Sequence, residues 1–285
     1  MTVTIAHLGP TGTYAEAAAI AYAKTELGDT EYRLQPYQNI PQTLTSVMNG
    51  ETDLAILPVE NSIEGSVVMT ADILWLLWTD NDLQRFQIQQ ALILSISHAL
   101  ISVATDLQHI KTVYSHPQAL SQCQEWLRQH LPTAECIAVS STTIALADLH
   151  QQPYAAAISS VRAANLYNLP ILAHPINDYP DNQTKFWAIS LQPEQGGDIT
   201  SVAFSLSENA PGGLVKALGF FADRGLNLTR IESRPSKRSL GEYVFFIDIE
   251  TANCSKLKSA LTDLNTHVET YKYFGSYQIV NVVSE

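Results

Sequence analysis

The sequence predicts an α/β protein in two parts: a larger domain with a mostly parallel sheet, then a smaller domain of the ferredoxin-like order βαββαβ. Up to about residue 191, short apolar runs alternate with helical stretches, which is typical of strands and helices layered on one sheet. Residues 192–198 are polar, contain glycine and proline and lack periodicity, so they predict a linker. Residues 199–285 then follow the order strand, helix, strand, strand, helix, strand.

Short apolar runs predict the strands of the larger domain. These runs are Val3–Leu8, Leu54–Val59, Ala91–Ser97, Thr112–Ser115, Ile137–Ser140, Ala155–Ser159, Ile171–Ala173 and Phe186–Leu191. Helical patterns predict the helices between them, at Tyr14–Leu27, Pro41–Asn49, Gln118–His130, Thr142–His150 and Val161–Tyr167. In such a fold, ligands bind beyond the carboxyl ends of the strands, so polar motifs at strand ends supply the candidate site residues.

The same signals place the elements of the smaller domain. Strands are predicted at Thr200–Ser207, Leu228–Ser233, Tyr243–Glu250 and Tyr273–Val280, and helices at Gly213–Arg224 and Ser255–Asn265. A sheet edge in so small a unit can pair with the same edge of a second copy.

The charge of the chain is unevenly distributed. There are 16 Lys and Arg residues against 28 Asp and Glu residues, a formal net charge of −12. Residues 1–198 hold 7 basic and 19 acidic residues, whereas residues 199–285 hold 9 of each. Neither part offers the basic face that a nucleic-acid binder needs. If the larger domain binds an anion, it must do so with very few cations.

The sequence carries no evident targeting or metal-binding signal. No apolar run approaches the ~20 residues of a membrane span, and the first residues lack the pattern of a signal peptide. The three cysteines are scattered, which favours free thiols in a reducing cytoplasm. The eight histidines do not show the spacing of a zinc site, so we expect no metal.

A glycine-containing turn precedes the first helix, at residues 9–16. Thr13 and Glu16 fit a capping box, which predicts that the helix starts at Thr13. The glycines on either side of Thr11, Gly9 and Gly12, allow close backbone approach, and the free amides of a first helical turn can bind an anion. A capped helix after a glycine turn without any ligand is the alternative.

Polar residues are concentrated at the carboxyl end of the predicted strand Leu54–Val59. Glu60 can act as an acid or base if burial raises its pKa, and Asn61 and Ser62 can donate hydrogen bonds to an oxyanion or hydroxyl. The alternative is a turn in which a serine caps the following helix. We favour a functional role because a Glu-Asn pair is a costly way to end a buried strand.

Two later motifs add polar groups at the start of an element. Gln118 follows Pro117 in the first turn of a predicted helix, where it would point toward the contents of a cleft. Thr184 and Lys185 lead from a loop into a strand, a position that suits a hydroxyl and a cation directed into a cleft. An ordinary surface turn would explain the second motif equally well.

In order and spacing, these motifs resemble those of the prephenate dehydratases. The matching segments are Gly9–Glu16, Leu57–Val67, Tyr114–Cys123, Ala155–Leu172 and Asn182–Phe186, and Pro211–Val215 and Asn227–Pro235 resemble the ACT regulatory domain attached to that family. The resemblance implies a catalytic domain at residues 1–191. It would have two lobes around a cleft, similar to type II periplasmic binding proteins, with the second lobe at about residues 85–165. An ACT domain would follow at residues 199–285.

The resemblance also implies a reaction. Prephenate loses carbon dioxide and its ring hydroxyl to give phenylpyruvate, and aromatisation drives the step without a cofactor. The catalytic threonine of the family matches Thr184, which we interpret as a hydrogen-bond donor or relay to the leaving hydroxyl, with Glu60 as the alternative acid. Asn61 and Gln118 match other polar cleft positions.

Substrate contacts are expected from Thr11, Gly12, Thr13, Ser62, Lys185 and Phe186. Lys185 stands where the family usually has Arg, so we expect it to bind a substrate carboxylate with looser geometry. On that hypothesis, Lys185→Ala mainly raises KM.

The resemblance further implies that L-phenylalanine binds as an effector between paired ACT domains, in a homodimer or homotetramer. The expected contacts are Gly212, Gly213, Leu214, Asn227, Leu228, Glu232, Ser233, Arg234 and Pro235. Gly213 stands where family members often carry Ala. Two alternatives stay open: an arogenate dehydratase, which acts on an amino acid in place of the keto acid, and a non-catalytic intracellular amino-acid sensor.

Overall fold

The computed structural model describes residues 2–78, 86–207, 210–251 and 254–282. The strands are β1 Val3–Leu8, β2 Tyr32–Tyr37, β3 Leu54–Asn61, β4 Gly65–Ser66, β5 Gln87–Ser95, β6 Ala99–Ile101, β7 Thr112–Ser115, β8 Glu135–Ala138, β9 Ala155–Ser159, β10 Ile171–Ala173, β11 Gln183–Ser190, β12 Ile199–Ser205, β13 Leu228–Pro235, β14 Tyr243–Glu250 and β15 Thr270–Val282. The helices are α1 Tyr14–Tyr22, α2 Ile40–Met48, α3 Val68–Leu77, α4 Pro117–Gln122, α5 Gln124–His130, α6 Val161–Leu166, α7 Gly213–Ala222 and α8 Cys254–His267, and a π-helical turn, Ala23–Leu27, continues α1. Within these described residues, no helix has the length and apolar character needed to cross a membrane.

The amino-terminal part forms two sheets, one in each lobe. The first has the order β2-β1-β3-β11-β5 and the second β10-β6-β9-β7-β8. Apart from the short β4, the strand that runs antiparallel to both of its neighbours is β11 in the first sheet and β6 in the second. Both are strands that the chain enters directly after crossing from the other lobe. Four of the five main strands in each sheet run in one direction, as predicted, but half of the ladders between them are antiparallel, so both sheets are mixed.

The second sheet lies later in the chain than the second lobe expected at about residues 85–165. It is formed by residues 99–173, and β5 belongs to the first sheet, where it pairs with β11. The expected boundary was early because β6, three residues long, continues the apolar character of β5 after a short interruption. The crossing between the lobes is therefore hard to locate from hydropathy.

The carboxy-terminal part has the predicted βαββαβ order, with its strands arranged as β13-β14-β12-β15. Helices α7 and α8 cover one face of this sheet around a core that includes Phe204, Phe221 and Ile247. The other face lies against the amino-terminal part, because Phe246 and Tyr277 belong to the same buried cluster as residues of the first sheet. The smaller sheet is thus covered on both sides.

Strand β15 physically joins the two parts. Its residues 270–277 pair with β12, and its residues 278–282 pair in parallel with β5, so the first sheet and the smaller sheet are continuous across the described residues. The linker also packs on this strand: the carboxylate of Glu194 accepts hydrogen bonds from the Tyr273 hydroxyl at 2.8 Å and from the Ser276 amide. The two parts therefore cannot separate without breaking a ladder.

Several predicted elements differ in the structure. The predicted helix Thr142–His150 is wrong: two 3₁₀ turns, Ile144–Leu146 and Leu149–Gln151, occupy this segment. The Ser141 hydroxyl accepts hydrogen bonds from two backbone amides there, which competes with a regular helix. The helix predicted at Gln118–His130 is divided at Cys123 into α4 and α5.

Helix α3 and strands β2, β4 and β6 were not predicted from the sequence. Helix α3 lacks a side-chain cap at Val67, the residue before its first turn, so the usual start signal is missing. Strand β2 contains Pro36 and lies at the edge of its sheet, where proline is tolerated but the strand pattern is weak.

A substitution at Gly197 tests whether the linker packs closely against β15. A Cβ atom at this position would overlap the backbone of Tyr277, so we expect Gly197→Ala to lower the free energy of unfolding by about 1–3 kcal/mol. Gly219→Ala is the matched control, since its Cβ would meet open space in α7 and alanine favours a helix by about 1 kcal/mol. Urea denaturation of both variants measures the difference, and equal stability would contradict the packing described here.

Candidate active site

A cavity of about 400 Å³ lies between the two lobes. Its lining includes residues that the sequence motifs predicted, namely Thr13, Asn61, Gln118, Thr184 and Phe186. Other lining residues come from both lobes, among them Tyr14, Gln38, His98, His116, Gln122, Ser140, Ser141 and Thr142. A larger cavity of about 620 Å³ between the linker and α8 is lined by none of the predicted site residues that the structure describes, so we place the site between the lobes.

The hydroxyl of Thr184 is oriented by Asn61, its neighbour across the β3–β11 ladder. The Oδ1 atom of Asn61 accepts hydrogen bonds from the backbone amides of Ile63 and Glu64 at 3.0 and 3.1 Å. The amide therefore cannot be flipped, and its Nδ2 atom faces Thr184 Oγ1 at 2.9 Å as a donor. Thr184 accepts from Asn61 and keeps its own hydroxyl proton to donate into the cavity.

The same amide group begins a buried hydrogen-bond network that crosses the cleft. Asn61 Nδ2 also lies 2.8 Å from Asn182 Oδ1, and Asn182 Nδ2 donates to Gln122 Oε1 at 2.8 Å. Gln122 Oε1 lies 3.1 Å from His98 Nε2, and the other ring nitrogen of His98 is 3.5 Å from the Tyr14 hydroxyl. This network links both lobes and fixes the position of Asn61, which in turn orients Thr184.

The first turn of α1 forms another wall of the cavity. Thr13 caps the helix by accepting a hydrogen bond from the Glu16 amide at 3.3 Å, which confirms the predicted start of the helix. Glu16 Oε2 accepts from the Gly12 amide at 2.7 Å, one residue before the amide that a capping box uses. Arg162, on α6 of the second lobe, donates to Glu16 at 2.5 Å and fixes the lobes together beside the turn.

The cavity lining carries no charged side chain at neutral pH. Among the lining residues that the structure describes there is no Lys, Arg, Asp or Glu. Burial lowers the pKa of His98 and of His116, which keeps both imidazoles neutral. Burial also raises the pKa of Tyr14, so its hydroxyl stays protonated. Nowhere in the described ranges do three or more His, Cys, Asp or Glu side chains cluster as potential metal ligands.

Lys185 and Glu60 do not reach this cavity, contrary to the substrate-binding and catalytic roles expected for them. Successive side chains of a strand point to opposite faces, so the residue after Thr184 and the residue before Asn61 face away from the cleft. The Lys185 ammonium lies 3.6 Å from Glu60 and 3.4 Å from Asp248, which belongs to β14 of the smaller sheet. The expected contact of Lys185 with a substrate carboxylate stays a prediction, which the ion pairs of Lys185 outside the cavity do not support.

Thr11, Gly12 and Ser62 also lie outside the cavity lining, although substrate contacts were expected from them. Thr11 is exposed. Gly12 has φ +92°, and a Cβ there would come within 3.2 Å of Thr143 in the other lobe, so its lack of a side chain serves lobe packing. The Ser62 hydroxyl accepts a hydrogen bond from the Gln183 amide at 2.9 Å and thereby ties β3 to β11.

The residues expected to bind an effector are divided between the two ends of the smaller sheet. Gly212, Gly213 and Leu214 lie at the amino-terminal end of α7, which follows β12. Glu232–Pro235 are at the same end of the sheet, because Arg234 of β13 and Ser205 of β12 both pair with Val244 of β14. Asn227 and Leu228 lie toward the opposite end of β13; at the usual rise of a strand, Leu228 is about 13 Å from Glu232 and about 23 Å from Pro235. Leu228 and Glu232–Pro235 lie on β13, the edge strand of the described sheet, and Asn227 directly precedes it.

Four polar residues of the site were not predicted from the sequence. Asn182 belongs to the recognised Asn-Gln-Thr-Lys motif, but its position two residues before Thr184 gave no sign that its amide would join Asn61 to Gln122. Gln122 lies one helical turn after Gln118, and that spacing could have placed both on one face of α4. His98 and Tyr14 carry no sequence signal for a shared site, because only the crossing between lobes brings them together.

Together these features define a class: a two-lobed α/β protein with a candidate small-molecule site between its lobes, followed by a βαββαβ domain. The sequence model of the family described as prephenate dehydratase matches residues 5–194, and that of the ACT domain matches residues 200–265. The chain therefore belongs to the prephenate dehydratase family and carries an ACT domain. The family and the fold class predicted from the sequence are confirmed.

Similar proteins extend over nearly the whole chain. Prephenate dehydratase of Methanocaldococcus jannaschii is 36% identical over 95% of this chain and 96% of its own length. The prephenate dehydratase of Lactococcus lactis subsp. cremoris is 34% identical over 98% of both chains. A crystal structure of prephenate dehydratase from Arthrobacter aurescens, in complex with L-Phe, matches with a TM-score of 0.84 and 35% identity, covering 97% of this chain and 90% of that one.

Proposed function

We propose that the protein catalyses the decarboxylating dehydration of prephenate to phenylpyruvate. Family membership supports this function, and the observation that carries it is the orientation of Thr184 in an uncharged cavity. Prephenate loses its ring carboxylate as carbon dioxide and its ring hydroxyl as water, with one proton taken up. Formation of the aromatic ring drives the reaction, so the proposal requires no cofactor.

Thr184 assists the departure of the hydroxyl as a hydrogen-bond donor. A leaving hydroxyl gains negative charge as its bond to the ring breaks, and a donor fixed in advance stabilises that charge. Because Asn61 occupies the acceptor side of Thr184, the threonine proton is available only to a group in the cavity. The general acid expected as an alternative, Glu60, lies on the other face of the sheet.

The uncharged lining favours loss of carbon dioxide. A carboxylate that decarboxylates disperses its charge into the ring, so a nearby cation would stabilise the starting state more than the transition state. The lining of the described cavity holds no such cation. The second, pyruvyl carboxylate can be held by the amides at the start of α1, since Thr13, Tyr14 and Ala15 line the cavity.

L-phenylalanine is the effector that we propose for the ACT domain, bound between two copies of the chain. Asn227–Leu228 and Glu232–Pro235 lie toward opposite ends of β13 within one copy. An antiparallel pairing of two β13 edges would bring the ends of the two strands together. Ile231 on β13 is 50% exposed, which fits an edge covered by a partner.

We also place the protein in the cytoplasm. Cys123, Cys136 and Cys254 are free, and the latter two are exposed. Exposed free thiols are typical of proteins in a reducing compartment.

The catalytic role of Thr184 predicts a defect in turnover. We expect Thr184→Ala to lower kcat by about 10²–10³-fold, the usual effect of removing one preorganised donor, with a smaller change in KM. Thr184→Ser is the matched control, since it keeps the hydroxyl and should retain most of the activity. Phenylpyruvate formation, followed by its absorbance in alkali, measures all three proteins; a near-normal kcat for Thr184→Ala would refute the role.

The uncharged cavity also predicts the substrate. Arogenate carries an ammonium group where prephenate has a keto group, and no Asp or Glu among the described lining residues can pair with it. We expect kcat/KM for prephenate to exceed that for arogenate at least about tenfold, because burying an unpaired charge costs more than that factor. A preference for arogenate would contradict the substrate assignment. Binding of prephenate without turnover would favour the amino-acid sensor class instead.

A further inference from the structure

Five charged side chains of alternating sign run from the proposed catalytic strands to the proposed effector segment. They are Glu60, Lys185, Asp248, Arg230 and Glu232, and we refer to them as the ion chain. Lys185 Nζ lies 3.6 Å from Glu60 and 3.4 Å from Asp248, and Arg230 Nη1 lies 3.9 Å from Asp248. Arg230 also pairs directly with Glu232.

The ends of the ion chain stand beside the functional residues. Glu60 directly precedes Asn61 on β3, and Lys185 directly follows Thr184 on β11. Glu60 and Lys185 are therefore each bonded through the backbone to one of the two hydrogen-bonded site residues. At the other end, Glu232 belongs to the segment Glu232–Pro235 of β13. A displacement of Lys185 therefore acts on the backbone that positions the Thr184 hydroxyl.

The middle of the ion chain is buried in the contact between the two parts of the protein. The side chain of Asp248 is 1% exposed and that of Arg230 is 6% exposed. The Arg230 guanidinium lies 5.5 Å from the ring of Trp187, which is on the same face of β11 as Lys185. Water screens the charges of Asp248 and Arg230 little at this depth, so this pair responds strongly to a change in position, whereas the Glu60 side chain is 41% exposed and its pair with Lys185 is screened more.

Lys185 and Arg230 both lie near the Asp248 carboxylate, and part of the Arg230 guanidinium lacks a hydrogen-bond partner. Asp248 Oδ1 accepts a hydrogen bond from Ser201 at 2.6 Å and is the atom nearest to Arg230, while Oδ2 is the atom nearest to Lys185. Within the part of the chain that the structure describes, Nε and Nη1 of Arg230 are buried without a hydrogen-bond partner. A movement of β13 by less than 1 Å would bring Nη1 into hydrogen-bond range of Asp248. Lys185 would then lose part of its attraction to Asp248 and shift toward Glu60.

We propose that the ion chain couples effector binding on β13 to the position of Thr184, with Lys185 and Asp248 as its positioning residues. The inference rests on the proposed function, because it takes L-phenylalanine as the ligand and prephenate as the substrate. Binding between two β13 edges moves Arg230, and the change passes through Asp248 to Lys185 on β11. Lys185 acts through the strand that it shares with Thr184 and does not touch the substrate.

The test separates effector binding from its effect on turnover. Calorimetry measures L-phenylalanine binding to the wild type and to Lys185→Met and Lys185→Arg, and prephenate turnover is measured with and without saturating L-phenylalanine. We expect Lys185→Met to bind L-phenylalanine within about threefold of the wild-type affinity, while the effect of L-phenylalanine on kcat/KM shrinks at least about fivefold, a typical coupling factor. Lys185→Arg keeps the charge and should restore the response.

Two further variants complete the design. Lys185→Met/Asp248→Asn should lose no more of the response than Lys185→Met alone, since the two residues act in one chain. Asp263→Asn is the control, because Asp263 pairs with Arg224 inside the ACT domain and outside the ion chain, and it should respond as the wild type does. If Asp248→Asn impairs folding, Lys185→Met and Lys185→Arg still test whether the ion chain couples L-phenylalanine binding to turnover.

Each outcome bears on a different claim. A wild-type response in Lys185→Met, with L-phenylalanine bound, would overturn the ion chain and leave the proposed effector function intact. Loss of L-phenylalanine binding in Lys185→Met would also overturn it, since the chain would then act on binding itself. Absence of binding to the wild type would refute the effector function, and the coupling inferred from it would fail with it.

Discussion

Alternate side chains of strand β11 face the cavity and the ACT domain, and the proposed catalysis and regulation both depend on this alternation. Thr184 and Phe186 face the cavity, whereas Lys185 and Trp187 face the ACT domain. The strand is paired on both sides, with β3 and β5, so its register is fixed. A slip of one residue would exchange the two faces and place a lysine in the cavity. The same backbone can therefore serve the chemistry on one side and the regulatory contact on the other.

The distribution of charge follows from this arrangement. Residues 1–198 contain 7 basic and 19 acidic residues, and the cation nearest to Thr184 in sequence is used against Asp248 instead of a substrate. A dicarboxylate must then be held by amides and hydroxyls at short range, without long-range attraction. For a reaction that expels carbon dioxide, an uncharged site is an advantage, because it does not stabilise the carboxylate that has to leave. The scarcity of cations is thus consistent with the proposed chemistry.

The sequence predicted those features that local patterns determine. The strands β1, β7, β9 and β14 have the predicted bounds, Thr13 caps α1, and the βαββαβ order of the ACT domain is as expected. Lys185 and Glu60 lie outside the cavity although the motifs placed them in the site, because a motif specifies which residues are adjacent in sequence, whereas the face of a strand depends on its pairing. Asn182, Gln122 and His98 come together only through the crossing between lobes, which no local pattern records.

The most direct test of the orientation of β11 is the KM of Lys185→Met for prephenate, measured without L-phenylalanine. If Lys185 faces the ACT domain, the substrate loses no contact, and KM should stay within about threefold of the wild-type value, any loss appearing in kcat through the position of Thr184. A rise in KM of about tenfold or more, with kcat unchanged, would mean that Lys185 binds the substrate carboxylate. That result would contradict the orientation of β11 on which this account depends.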